Sequence, residues 1–133
     1  IHSVGKGNPL PDAQPFYHPY AYIHEMEQAY QIADVILSRS GAGTCAELEA
    51  LGIPALLVPL QIGNGEQVQN ATLLAERGLA TVISQDELTP EQLITQVLAL
   101  SLKPLTPTKR EKSAASLMNF ADSRTRTPTS WAS

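Results

Sequence analysis

The sequence predicts a doubly wound α/β domain, a parallel sheet covered by helices on both faces. Three observations carry this. Short apolar runs (residues 35–37, 55–58 and 79–84) alternate with segments of helical spacing. The runs are apolar on both faces, which suits strands buried between two helix layers rather than strands with one wet face. Glycine and proline stand where one element should end and the next begin, as at Gly41, Gly52, Gly63, Gly78 and Pro90.

Each element follows in order. Residues 1–4 read as the end of a strand, and Gly5-Lys6-Gly7-Asn8-Pro9 as a loop. Residues 9–19 carry four prolines and resist a helix. Residues 20–23 suit a short strand, and Ile23, Met26, Tyr30 and Ala33 then fall at helical spacing. Residues 35–37 form a strand buried on both faces. A helix is expected over 44–51, with Gly52 at C′, and a second buried strand over 55–58. Gly63-Asn64-Gly65 opens a helix from Glu66 to about Arg77, closed by Gly78, and residues 79–84 give a third strand. Thr89-Pro90-Glu91-Gln92 is a capping box with proline at N1. Its helix is expected to bury Leu93, Ile94, Val97 and Leu98, and to stop at Pro104 and Pro107. A last helix is expected over 109–121, followed by a loose Ser/Thr/Arg-rich end.

Composition bounds the function. Of 133 residues, 43% are hydrophobic and 17% charged, which fits a packed core. The longest nearly unbroken apolar run, 53–60, is interrupted by Pro54 and Pro59 and falls well short of the roughly 20 residues of a membrane span. No signal-peptide pattern is present. The single cysteine, Cys45, excludes an internal disulfide and fits a reducing compartment. A chain opening on Ile1 inside a strand is expected to be part of a longer protein. Charge divides the chain at about residue 102. Residues 1–102 hold three basic side chains (Lys6, Arg39, Arg77) and a net charge of −8, while 103–133 hold six and a net charge of +4. An acidic body is a poor partner for nucleic acid. The basic end is either a solvated tail or a contact for an anionic membrane surface.

In a doubly wound sheet, ligands sit beyond the carboxyl ends of the strands. The loops after residues 37 and 58 occupy that place. In the first, Ser40, Gly41, Ala42 and Gly43 remove side-chain bulk ahead of a helix N-terminus. Exposed amides there carry partial positive charge and can hold a phosphate without basic side chains. The other reading is a plain strand-to-helix turn. Thr44-x-x-Glu47 is a capping box by spacing. Alternatively, Glu47 presents an acceptor-only carboxylate to the diol of a ribose. After the second loop, Glu66, Gln67 and Asn70 share a helix face and could read sugar hydroxyls, or they form an ordinary polar first turn. No HExxH, CxxC or Asp-x-Asp pattern occurs, so neither a metal nor another cofactor is expected. His2, His18 and His24 lack ligand spacing. Cys45 near a helix start suits either a lowered thiol pKa or a small packed side chain.

The stretch ADVILSRSGAGTCAELEALGIPALLVPLQIGNGEQVQNA, residues 33–71, resembles the MurG family of bacterial cell-wall glycosyltransferases. Its IGNGEQ form is similar to the actinobacterial branch, and weaker similarity runs from residue 1 to about 100. The resemblance implies the donor-binding half of a GT-B enzyme with two Rossmann-like domains. Residues 1–102 would be most of the donor domain, without its first strand and glycine-rich loop, and 103–133 a basic C-terminal segment. The family moves N-acetylglucosamine from UDP-N-acetylglucosamine to an undecaprenyl-linked muramyl-pentapeptide, lipid I, at the cytoplasmic face of the plasma membrane, with inversion and without a metal. The acceptor site, the membrane-facing patch and the catalytic base lie in the other domain, so no catalytic residue is expected here and the chain alone should be inactive.

By the same resemblance, Tyr22 and Ile23 bind the uracil and Met26 lines its pocket. Ser40, Gly41, Ala42, Gly43 and Thr44 face the diphosphate and sugar. Glu47 binds the ribose, and Glu66, Gln67 and Asn70 lie near the N-acetylglucosamine. Glu66 departs from relatives with glutamine at that position, and Arg39 has no assigned role. Two other readings stand beside this one: a different UDP-sugar enzyme on the same fold, such as a 2-epimerase, and a non-catalytic or half-enzyme module that needs a membrane-bound partner chain.

Overall fold

A computed structural model of the chain describes residues 1–102. The expected stops at Pro104 and Pro107, the helix over 109–121 and the loose end lie outside the described residues. Two compact units are present, residues Ile1–Ile32 and the part that begins at Ala33.

In the first unit, β1 (His2–Ser3) pairs in parallel with β2 (Pro19–Tyr20), and α1 (Met26–Ile32) follows. The strand expected over 20–23 ends at Tyr20, and the helix starts three residues later than Ile23. Tyr20, Ile23 and Ala29 form a small core, with Met26 and Ile32 packed against it. The intervening loop is pinned by the His2 ring, whose Nδ1 lies 2.9 Å from the Tyr17 hydroxyl.

The second unit is a three-stranded parallel sheet ordered β3-β4-β5, with β3 at Ile36–Ser38, β4 at Ala55–Leu57 and β5 at Ala80–Val82. The connections are helical: α2 (Ala42–Leu51) and α3 (Glu66–Glu76), with α4 (Pro90–Ser101) after β5. Parallel strands joined by helices make this an α/β fold of the Rossmann-like kind. The central strand has both faces covered: Ala55, Leu56 and Leu57 are wholly buried. Leu56 packs with Ile83 and Leu100, while Ala55 and Leu57 turn to the opposite face by the two-residue period of a strand.

Two expectations about burial fail here. Leu37 is 50% exposed: among the described residues β3 is an edge strand of this sheet, and of its three residues only Ile36 is buried. On α4, Leu93, Val97 and Leu100 face the sheet, while Ile94 and Leu98 are exposed. The helix is apolar over more of its circumference than one contact can bury. The position of β4 and β5 decides which stripe is used.

The caps are read more directly. Gly52 ends α2 in the left-handed region, its N–H donating to the Leu48 carbonyl at 2.9 Å. Thr89 caps α4 by accepting from the Gln92 N–H at 3.1 Å, with Pro90 at N1. No helix among the described residues is long and apolar enough to cross a membrane.

Candidate functional site

The pairing of β3 with β4 puts Ser38 beside Leu57, so the loops leaving both strands emerge at the same end of the sheet. Arg39 ties them at their root, its Nη1 donating to the Val58 carbonyl at 3.1 Å. This gives the arginine a structural role that the sequence left open.

The helix after β3 starts earlier than its spacing suggested. Gly41 is the N-cap of α2, and Ala42, Gly43 and Thr44 form its first turn. The first backbone bond returns from the Cys45 N–H to the Gly41 carbonyl at 3.0 Å. The amides of Ala42, Gly43 and Thr44 therefore have no partner further back along the helix, and no side chain caps them. The glycines here are not demanded by the fold. Gly41 has an ordinary φ of −63°, and a Cβ built on Gly41 or Gly43 would meet nothing within 4 Å. They leave open space over an uncapped row of N–H groups.

The earlier helix start also removes the capping-box role of Glu47. Thr44 sits inside the helix, so it cannot be the N-cap of a box with Glu47. The carboxylate is exposed and makes no hydrogen bond or ion pair among the described residues. Glu47 follows Gly43 by four residues and shares its face, and helix side chains lean toward the N-terminus. That spacing places Glu47 on the helix face of Gly43, one turn from the open amides.

Ser40, Gln67 and Asn70 come together, but differently from a set of ligand contacts. Ser40 is fully buried, and its hydroxyl donates to the Gln67 carbonyl at 2.6 Å. Gln67 Oε1 accepts the N–H of Leu60 at 2.9 Å and that of Ser40 at 3.3 Å. Asn70 Nδ2 donates to the Ser40 carbonyl at 3.1 Å. The side chain and the N–H of Ser40, expected in the loop that faces a diphosphate, are thus both engaged inside the protein. Glu66 stands apart from this network. Glu66 turns back on its own loop, accepting from the Asn64 N–H at 3.2 Å, and its Oε2 lies 3.0 Å from where a Cβ on Gly63 would stand. With φ of +64° at Gly63 and +80° at Gly65, this loop needs both glycines.

Cys45 is buried, and burial pushes its thiol above the ordinary 9.0. The helix N-terminus does not make it a reactive thiolate. Among the described residues no cluster of His, Cys, Asp or Glu could hold a metal ion.

Tyr22, Ile23 and Met26 belong to the first unit. Ile23 is buried and Met26 packs beside it, while Tyr22 is half-exposed. The Lys6 ammonium lies 4.5 Å from the centre of the Tyr22 ring, and His24 meets that ring edge-on at 4.8 Å. In the sequence Lys6 stands out only as a loop residue between glycines.

Comparison with known proteins adds an independent line. The family model described as Glycosyltransferase family 28 C-terminal domain matches residues 1–126. Curated relatives include a UDP-N-acetylglucosamine–N-acetylmuramyl-(pentapeptide) pyrophosphoryl-undecaprenol N-acetylglucosamine transferase of Corynebacterium efficiens, 46% identical over 106 residues, covering 80% of this chain and 29% of the relative. The protein of the same name from Streptomyces collinus is 44% identical over 109 residues, covering 78% and 30%. This chain thus spans under a third of the length of those relatives. Among solved structures, Acinetobacter baumannii MurG aligns with a TM-score of 0.56 at 37% identity, covering 62% of this chain and 24% of that one. A structure titled as the glycotransferase of kitacinnamycin aligns at 0.64 and 22% identity, over 86% of this chain and 29% of that one, which bears on the fold alone.

Proposed function

Because this chain belongs to the glycosyltransferase family 28 C-terminal domain family, we propose that it is the donor-binding part of an inverting N-acetylglucosaminyltransferase. The donor is UDP-N-acetylglucosamine, and the acceptor is the pyrophosphoryl-undecaprenol-linked muramyl-pentapeptide named for its relatives. The acceptor site and the catalytic base belong to the rest of the full-length protein. An acceptor carried on undecaprenol sits in a lipid bilayer, so the reaction belongs at a membrane surface, on the cytoplasmic side where the nucleotide sugar is found.

One observation supports the donor site above all: an exposed Glu47 without a partner among the described residues, one helical turn from the uncapped amides of Ala42, Gly43 and Thr44. A nucleoside diphosphate combines two groups that suit this pair. The diphosphate is an anion for the helix N-terminus, and the ribose diol offers two donors to one carboxylate. By resemblance alone, Tyr22 and Ile23 are assigned to the uracil and Met26 to the lining of its pocket. By resemblance Glu66, Gln67 and Asn70 lie nearest the transferred sugar, although each of these side chains already has a partner within the protein.

In the reaction, the acceptor hydroxyl attacks the anomeric carbon while UDP departs from the opposite face. Negative charge grows on the β-phosphate oxygens as the bond to carbon breaks. Amides already aimed at that charge lower the barrier without reorganising, and the rest is positioning.

The test is a UDP titration of the full-length protein and its Glu47→Ala variant. Removing a charged partner of two hydroxyls should weaken binding by at least about tenfold. Equal UDP affinity in both proteins would remove the ribose assignment.

A further inference from the structure

Resemblance groups Gln67 with sugar-contacting residues, yet the only acceptor atom of its amide is already consumed. Oε1 takes the Leu60 N–H at 2.9 Å from the loop after β4, and the Ser40 N–H at 3.3 Å from the loop after β3. Because both partners are donors, the orientation of the side-chain amide is fixed, and only Nε2 is left to face outward. The same residue's main-chain carbonyl accepts the hydroxyl of the buried Ser40 at 2.6 Å. Asn70, one turn further along α3, holds the Ser40 carbonyl at 3.1 Å. Every polar atom of Ser40 is thereby tied to α3, directly before the Gly41 cap of α2.

We propose that Gln67 is a positioning residue: its Oε1 clamps the loops after β3 and β4 together, and so fixes where the open amides of Ala42, Gly43 and Thr44 point. The clamp itself rests on geometry alone, and its consequence for the ligand rests on the donor-site reading above. What position 67 needs is an acceptor atom at that reach. Glutamate provides one, and a carboxylate accepts two N–H groups at least as well as an amide oxygen does. Methionine has similar length and no comparable acceptor, and it would strand two loop N–H groups.

The full-length protein and its Gln67→Glu and Gln67→Met variants separate these cases through two readouts: amide hydrogen exchange at Ser40 and Leu60, and affinity for UDP. In Gln67→Met, both amides should exchange roughly tenfold faster or more. The Cys45 and Gln69 amides, which bond to the Gly41 and Gly65 carbonyls, should stay protected. UDP affinity should fall in parallel. In Gln67→Glu, the protection should persist and UDP affinity should stay within a few-fold of the parent. Wild-type exchange at Ser40 and Leu60 in Gln67→Met would overturn the clamp. A Gln67→Glu protein that keeps its protection but loses UDP as severely as Gln67→Met would overturn the positioning role, because the outward Nε2 would then be touching the ligand itself. A parent protein that binds no UDP would defeat the donor-site reading, while the exchange data would still decide the clamp.

Discussion

Gly43 separates what the fold needs from what a ligand needs. It lies in the first turn of α2 without a positive φ, and a Cβ added to it would meet nothing within 4 Å, so the protein itself has room for a methyl group. Gly43→Ala should leave the melting temperature unchanged or raise it, since alanine in a helix is favoured over glycine by up to about 1 kcal/mol. UDP affinity should nevertheless fall, because the methyl would stand between the ligand and the amide row. Parallel thermal and UDP titrations of the variant check this, and a stable protein with undiminished affinity would place the ligand elsewhere. Cys45 gives a prediction with pH. Burial raises its thiol pKa in the folded state, so the folded protein favours the neutral form. That contribution is fully present below the ordinary 9.0 and is lost as pH rises from there through the folded value. Denaturant unfolding at pH 8 and at pH 10 should show a larger loss for the parent than for Cys45→Ala. Residue roles are unevenly legible in the sequence. Glu47 looks like a cap because Thr44 stands three residues before it, and only the true helix start at Ala42 removes that option. The Ser40–Gln67–Asn70 network cannot be read at all, since it joins positions some 30 apart whose meeting depends on β3 and β4 being neighbours.

At the scale of elements, local signals serve well and faces do not. Thr89-Pro90 marks the start of α4, and Gly52 the end of α2, because caps are made within a few residues of chain. The buried face of α4 escapes the sequence because Leu93, Ile94, Val97, Leu98 and Leu100 surround much of the helix, and the sheet chooses among them. This makes a sharp pair of substitutions. Val97→Asp puts a carboxylate against the Leu56, Ile83 and Leu100 cluster and should cost at least about 3 kcal/mol. Leu98→Asp, on the 59% exposed side, should stay within about 0.5 kcal/mol. Denaturant midpoints of the two variants check the assignment, and equal losses would mean that the outer stripe is covered as well. The exposed Leu37 carries the same lesson for strands: an apolar run on β3 announces a strand, but burial of both faces also requires layers packed over them, which β4 has and Leu37, among the described residues, lacks.

Across the whole chain, charge and coverage set what can be asked of it. It matches 29–30% of the length of its relatives, so transfer is a question for the full-length protein, while holding the nucleotide can be asked of this part. The way it would hold that nucleotide is unusual for its sign. Residues 1–102 are strongly acidic, and each of their three basic side chains is engaged: Lys6 over the Tyr22 ring, Arg39 on the Val58 carbonyl and Arg77 with Glu49. A diphosphate held by Lys and Arg loses affinity as salt screens those charges. One held by backbone amides at close range, within a field of like sign, loses little, because salt also screens the long-range repulsion. UDP affinity of the full-length protein should therefore change by less than about threefold between 50 and 500 mM salt, a range over which the Debye length shrinks from about 14 to about 4 Å. A steep fall would mean that cations hold the diphosphate, and the amides of α2 would then have only an orienting part in the site.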